Sequence, residues 1–167
     1  NKLKTSLITT ANKLADSARD AILPLFRTNQ LDIISKETLR FDPVTKADKL
    51  AELAMRKVLK KIRPDDGIIG EEFKNIKGKS GLTWVLDPID GTRAFVSGTP
   101  TWGVLIALSD TEGPFLGIID QPYISERFIG GLGKATCIGP SGQRLLKTSI
   151  VNNLKDSTLF TTFPEIG

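Results

Sequence analysis

The sequence predicts an α+β fold in which two N-terminal helices cover one face of a mainly antiparallel sheet. Apolar residues recur every three or four positions at residues 3–26 and again at residues 47–62, which is typical of amphipathic helices. From residue 102 onward, short apolar runs alternate with turns rich in Gly and Asp, which is typical of an antiparallel meander. The length of 167 residues is that of one ordinary domain, so we expect residues 1–167 to form a single unit.

The first predicted helix covers residues 3 to about 26. Pro24 lies late enough to end or bend this helix rather than to prevent it. The following polar stretch, residues 27–41, contains one short apolar run at residues 31–34, which could be a strand. The apolar side chains that define the helical face are Leu3, Leu7, Ala11, Leu14, Ala18, Ile22 and Leu25.

Pro43 and Thr45 begin the second predicted helix, and the Pro-Asp-Asp-Gly segment at residues 64–67 ends it. Thr45 and Asp48 have the spacing of a capping box, in which each side chain bonds to the backbone of the other residue. The expected apolar face is formed by Ala47, Leu50, Ala51, Ala54, Val58 and Ile62. The basic residues between 56 and 63 are interpreted as the solvated face and last turn of this helix, where cations suit the helix dipole.

The sheet is predicted from short apolar runs bounded by Gly, Pro and Asp. Cys137 lies in one of these runs and is expected to be a small buried hydrophobe. Trp84 and Trp102 are expected to be core residues. The predicted strands cover residues 68–70, 84–86, 102–108, 113–119, 126–130 and 134–138, and residues 158–163 could add one more.

Two aspartates follow the run at residues 84–86. Asp87 and Asp90 flank a proline, and Gly91-Thr92 comes directly after them at a predicted helix start. Carboxylates and a turn carbonyl such as that of Ile89 are the hard oxygen ligands that Mg²⁺ takes, and amides of a first helical turn face anions. The alternative is an ordinary Asx turn with a helix cap, which Asp-Pro and Asp-Gly also form.

A second acidic pair, Glu71 and Glu72, follows the run at residues 68–70. Two strand ends would place Glu71 beside Asp87 and Asp90. Three acids that meet without a cation repel one another and raise their pKa values. A bound metal ion is therefore the simplest explanation if the three side chains do meet.

These segments resemble the inositol monophosphatase superfamily of Mg²⁺-dependent, Li⁺-sensitive phosphomonoesterases. The matching motifs are Gly70-Glu71-Glu72, the W-V-L-D-P-I-D-G-T run at residues 84–92, and D-P-V-T-K-A-D at residues 42–48. Within the family, residues 93–103 look closest to the bacterial histidinol-phosphate phosphatase branch. The resemblance implies a Mg²⁺-dependent hydrolysis of a small phosphate monoester, resembling inositol 1-phosphate or histidinol phosphate, by metal-activated water.

The family pattern also implies the roles of individual residues. Two or three Mg²⁺ ions, with Mn²⁺ as an alternative, would be bound by Glu71, Asp87, Asp90 and the carbonyl of Ile89. Thr92, Asp48 and Glu71 are the implied catalytic residues, and Thr92 with Asp48 would orient the attacking water. The N–H groups of Gly91 and Thr92 would bind the phosphate, and Lys36 would reach the site from a loop. For Asp48, helix capping and this catalytic role both remain open.

The resemblance covers nearly all of this chain but only the first part of the family, whose members continue into a second subdomain. We therefore expect residues 1–167 to be the metal-binding N-terminal domain, the first half of a layered α/β/α/β/α sugar-phosphatase-type fold. Alone it should be a poor catalyst, and the face that meets the second subdomain should be apolar and prone to self-association. The complete protein is expected to be a homodimer that acts on a phosphorylated polyol or amino alcohol.

Composition excludes several other classes of function. The chain has no histidine, which rules out a Ser-His-Asp triad, a Cys-His dyad and a histidine-ligated zinc within it. No apolar run approaches the ~20 residues of a membrane span, and the single cysteine allows no internal disulfide, so we expect a cytoplasmic protein without membrane contact. The net charge of +4 comes without an aromatic platform, which makes nucleic acid an unexpected partner.

One alternative function is retained. A non-catalytic relative could keep this fold and act as an interaction module for a protein or for RNA. The basic face of the second helix and the short chain motivate that alternative.

Overall fold

Two long helices, α1 (Lys2–Ile22) and α2 (Lys46–Ile62), pack against each other and over one face of a seven-stranded sheet. The computed structural model in which this architecture is seen describes residues 2–28, 34–35 and 43–160. The predicted α+β class, with helices against a mostly antiparallel sheet, is confirmed. Within these ranges, neither helix combines the length and the apolar character that crossing a membrane requires.

The seven strands lie in the sheet in the order in which they occur in the sequence. Five of the six pairings are antiparallel, and only the pairing of the first two strands is parallel. A separate antiparallel pair is formed by β1 (Ile34–Ser35) and β2 (Pro43–Val44). The large sheet consists of β3 (Gly67–Gly70), β4 (Thr83–Asp90), β5 (Gly103–Asp110), β6 (Gly113–Gln121), β7 (Glu126–Gly131), β8 (Lys134–Gly139) and β9 (Gly142–Leu145).

Helix α1 follows its predicted face closely. The predicted apolar side chains are buried from Leu7 to Leu25, whereas Leu3 in the first turn is 56% exposed. The α-helix ends at Ile22, and a 3₁₀ turn with Pro24 at its start covers Leu23–Leu25. Proline therefore tightens the last turn, because it cannot supply the N–H that another α-helical turn would need.

Helix α2 begins at the predicted cap but buries a different face. The capping box is present, with Asp48 Oδ2 accepting the Thr45 backbone N–H at 2.8 Å. Leu50 and Ile62, which were predicted to be core, are 38% and 36% exposed. The buried side chains are Ala47, Asp48, Ala51, Glu52, Met55 and Leu59. The predicted face left out Glu52, whose buried carboxylate accepts hydrogen bonds from Arg56 and from the Glu72 backbone.

The strands differ from the prediction at three places. Strand β4 continues through Asp90, so the two aspartates lie in a strand and not in a turn. The short strand β9 was not predicted, because its Gly-Gln-Arg-Leu sequence carries no apolar run. Residues 158–160, the described part of the additional predicted strand, are not in a strand. Cys137, Trp84 and Trp102 are buried, as predicted.

The sheet face away from the helices is apolar and uncovered by the described residues. Val85 and Ile119 on this face are 36% and 51% exposed, and an open groove of about 560 Å³ crosses it. Paired small residues on four neighbouring strands form its floor: Ala107, Gly117, Gly130 and Ala135. An exposed apolar face is therefore present, and its contact with a second subdomain stays a prediction.

Candidate active site

A β-bulge lies between the two aspartates at the end of β4. Asp87 pairs with Leu105 and Asp90 with Gly103, so that three steps along β4 match two steps along β5. Residues three apart point to opposite faces of a regular strand, but the extra residue interrupts this alternation. Pro88 and Ile89 are accordingly both buried. Proline suits this position because it has no N–H to contribute to the interrupted ladder.

Glu71 reaches the same end of the sheet through the single parallel pairing. Gly70, the last residue of β3, pairs with Leu86 of β4. The next residues along the two parallel strands are Glu71 and Asp87, and both leave the sheet at the same end. These two side chains are hydrogen-bonded to each other. The parallel pairing of β3 with β4 thus accounts for the interaction of Glu71 with Asp87.

The environment of Asp87 raises its pKa to about 7. Burial is the main cause, and the negative charges of Glu71, Asp90 and Asp48 add to it, together with the hydrogen bond to Glu71. Asp87 Oδ1 is buried and has no hydrogen-bond partner among the residues that the structure describes. All of the predicted acidic residues are therefore close enough to act on Asp87 electrostatically.

The electrostatic effect of these acids on Asp87 does not by itself define a metal-binding site. Within residues 2–28, 34–35 and 43–160, no three acidic or cysteine side chains are arranged closely enough to hold a metal ion together. The binding of one ion by Glu71, Asp87 and Asp90 consequently stays a prediction. The available donors nevertheless suit a hard divalent cation, because they are carboxylates around a buried oxygen of Asp87 that lacks a partner.

The predicted helix start at Gly91 and Thr92 is confirmed as the beginning of α3 (Thr92–Val96). Gly91 caps this helix in the left-handed region with φ of 84°, and a Cβ there would lie 3.0 Å from the Thr101 carbonyl oxygen. The half-buried Thr92 side chain donates a hydrogen bond to the Ile89 carbonyl oxygen at 3.0 Å. The Thr92 hydroxyl and a predicted ligand oxygen are thus in direct contact.

Asp48 combines its confirmed capping role with a place near the acidic group. Its side chain is 2% exposed, and its Oδ2 accepts hydrogen bonds from both the backbone and the hydroxyl of Thr45. A cap of this kind contributes about 1 kcal/mol to stability. Its charge also raises the pKa of Asp87. The orientation of a water molecule by Asp48 together with Thr92 remains a prediction.

Sequence reasoning missed two residues that contact the Glu71 segment. Glu52 is completely buried and accepts the backbone N–H of Glu72 at 2.7 Å, and Arg56 donates to the Phe73 carbonyl oxygen at 3.1 Å. The available signal was the recurrence of acidic residues at positions 48 and 52, four apart on one helix face. Lys36, the predicted loop contact, lies outside the described residues.

Comparison with known proteins gives a consistent family. A family model described as "Inositol monophosphatase family" matches residues 3–165. A relative from Arabidopsis thaliana named bifunctional phosphatase IMPL2, chloroplastic, is 38% identical over 93% of this chain and 44% of its own length. A histidinol-phosphatase from Chlorobaculum parvum is 36% identical over 90% of this chain and 57% of its own length. The chain thus spans about half the length of these relatives.

A solved structure supports the same family. The inositol monophosphatase of Zymomonas mobilis superimposes with a TM-score of 0.64 at 47% identity, covering 79% of this chain and 50% of that one. Chains named Nus factor SuhB are also similar, and one from Haemophilus influenzae is 34% identical over 74% of this chain and 45% of its own length.

Proposed function

This chain belongs to the inositol monophosphatase family, and we propose that it is the metal- and phosphate-binding domain of a phosphomonoesterase. The observation that carries the proposal is the buried carboxyl of Asp87, whose pKa is raised by burial and by Glu71, Asp90 and Asp48. A carboxyl group whose surroundings disfavour its charged form, and so raise its pKa, is typical of a functional site. A cation is the partner that would favour its ionised form.

The residues that would hold the cations are Glu71, Asp87, Asp90 and the carbonyl of Ile89. Mg²⁺ is the proposed ion, in two or three copies, with Mn²⁺ as a substitute and Li⁺ as an inhibitor. When bound, the ions supply neutralisation of phosphoryl charge and activation of water. The chain's own part is to fix the carboxylates, and it does so through the parallel β3–β4 pair and the bulge of β4.

Thr92 and Asp48 are proposed to orient the attacking water from the two sides of the acidic group. The Thr92 hydroxyl already lies at the Ile89 carbonyl, and Asp48 is locked by its capping bonds. The backbone N–H groups of Gly91 and Thr92 belong to the first turn of α3, where amides have no partner within the helix. They would donate to phosphate oxygens. Lys36 is proposed as a further contact from its loop.

The proposed substrate is a small phosphorylated polyol or amino alcohol. Residues 93–103 and the similarity to a histidinol-phosphatase favour histidinol phosphate over inositol phosphate. The relatives are about twice as long, so we propose that full turnover also needs the subdomain that they carry. A cytoplasmic homodimer is part of the same proposal.

The test is release of inorganic phosphate from histidinol phosphate, inositol 1-phosphate and other sugar phosphates in the presence of Mg²⁺. We expect the Asp87→Asn, Asp90→Asn double variant to lose activity by at least about 100-fold, because changes even beyond the ligands cost about 10- to 100-fold. Asp66→Asn is the matched control, since Asp66 is a buried acid bonded to Arg63, Ser80 and Trp84. A double variant as active as the control would overturn the proposal.

One observation favours a second candidate, an interaction module. Both acids of α2, Asp48 and Glu52, are buried, so every exposed charge on α2 is a lysine: Lys46, Lys49, Lys57, Lys60 and Lys61. Such a face suits an anionic partner. The same double variant separates the candidates, because an interaction module would keep its cellular function without Asp87 and Asp90.

A further inference from the structure

Glu52 connects α2 to the segment that carries Glu71. Its side chain is 0% exposed, and its two carboxylate oxygens have different partners. Oε1 accepts a hydrogen bond from Arg56 Nε, and Oε2 accepts one from the Glu72 backbone N–H, both at 2.7 Å. Hydrogen bonds to a charged acceptor are about twice as strong as those between neutral groups. The backbone directly after Glu71 is therefore held by a buried charge.

Arg56 extends this contact by one residue. Its Nη2 donates to the Phe73 carbonyl oxygen at 3.1 Å, and its guanidinium lies 5.8 Å from the centre of the Phe73 ring. On the other side of Glu71, a Cβ at Gly70 would overlap Glu52 Oε1 and contact Arg56. The Glu52–Arg56 pair thus contacts residues immediately before and after Glu71.

Among the residues that the structure describes, the strand ladder stops just before this segment. Strand β3 ends at Gly70, and residues 71–75 belong to no strand. A buried ion pair is in general weak support for stability, since removing two charges from water costs about as much as their attraction returns. What the Glu52–Arg56 pair contributes instead is the orientation of the backbone at Glu72 and Phe73, to which its two hydrogen bonds are directed.

We infer that Glu52, paired with Arg56, is a positioning residue that holds the Glu71 carboxylate against Asp87. The expected effect on cation binding rests on the proposed function, whereas the effect on the position of Glu71 relative to Asp87 does not. Residues that orient a ligand from outside typically change metal affinity by about 10- to 100-fold when they are replaced. Glu52→Gln keeps the side-chain volume but turns an amide NH₂ toward one of the two donors, so one bond is lost.

The first measurement is Mn²⁺ binding by electron paramagnetic resonance, with Mn²⁺ alone as the probe. Glu52→Gln should weaken binding by about tenfold or more. Asp66→Asn, which removes a buried charge between α2 and β3 away from the acidic group, should lower the melting temperature without this loss. Arg56→Lys should give a smaller loss than Glu52→Gln, because lysine keeps the charge but not the fork that reaches Phe73.

A double-mutant cycle decides whether Glu52 acts through Glu71. If it does, Glu52→Gln should weaken Mn²⁺ binding no further once Glu71→Gln is present. Equal loss in both backgrounds, or no loss in the single variant, would show that Glu52 does not act on cation binding through Glu71.

A crystal structure of the Glu52→Gln variant separates this inference from the proposed function. Displacement of Glu71 from Asp87 supports the inference, and an unchanged contact refutes it, whatever the metal result. If Glu71→Gln itself left Mn²⁺ binding unchanged, the proposed metal site would fail while the positioning role would still be decided by that structure. Should Glu52→Gln not fold, the same comparison applies to Arg56→Lys.

Discussion

Asp87 is the residue whose protonation state controls the charge of the acidic group. Burial and three neighbouring acids raise its pKa to about 7 from the ordinary 3.8. In the metal-free protein the Asp87 carboxyl can keep its proton in mildly acidic solution, and it becomes charged only as the pH passes its pKa of about 7.

The pH dependence of stability follows from this shift. A carboxyl whose pKa is raised on folding stabilises the folded state fully below its unfolded pKa, near 3.8, and this stability is lost as the pH rises through about 7. In EDTA, we expect Asp87→Asn to be more stable than the native chain at pH 8 and to approach it near pH 4. Urea unfolding at both pH values measures this. An equal difference at the two pH values would contradict the assignment.

At the scale of elements, the bulge of β4 and the cap of α3 together set the geometry of the site. The left-handed Gly91 lets the chain turn from β4 into α3 within one residue, close to the backbone of Thr101. Only glycine adopts this conformation without a steric penalty. Thr92 and Ile89 are brought into contact as a result.

Gly91→Ala should therefore destabilise the fold by about 1–2 kcal/mol, because alanine is strained at this φ and its Cβ approaches the Thr101 carbonyl. Gly130→Ala is the matched control, since Gly130 lies in a strand and a Cβ there meets no atom within 4 Å. Chemical unfolding of both variants gives the comparison. Equal stabilities would show that the turn at Gly91 relaxes without cost.

The elements differ in how far the sequence predicts them. The run from Trp84 to Leu86 and the capping pair Thr45 and Asp48 are local signals, so the first part of β4 and the start of α2 were predicted correctly. The bulge was not, because Asp-Pro and Asp-Gly also favour turns and the pairing with β5 is set by distant residues. The face of α2 was misjudged because Glu52 finds its partner 20 residues away.

At the scale of the whole molecule, the sheet face that the described residues leave uncovered carries an apolar groove. Ile119 at its centre is 51% exposed, and small residues on four strands leave a groove beside it. Apolar patches of this kind favour association with other surfaces. We expect the isolated polypeptide to self-associate through this face.

Ile119→Lys should shift sedimentation equilibrium toward the monomer, because a charge at the groove opposes its burial. Leu50→Lys on α2, where the leucine is 38% exposed, is the control and should leave association unchanged. Association that survives Ile119→Lys but not Leu50→Lys would assign the contact to the helical layer instead.

Strand β3 lies at the edge of the sheet, so the acidic group beside it can open while the rest of the fold stays intact. Its four residues pair with β4 on one side, and on the other side only a single bridge joins Ile68 to Ile76. Short edge strands open locally at a lower free energy than central ones. Amides of β3 should exchange their hydrogens faster than those of β5 and β6, and an opening that also breaks the bond of Glu52 to the Glu72 backbone would separate Glu71 from Asp87. The acidic group would then disassemble and re-form many times within the life of one folded molecule.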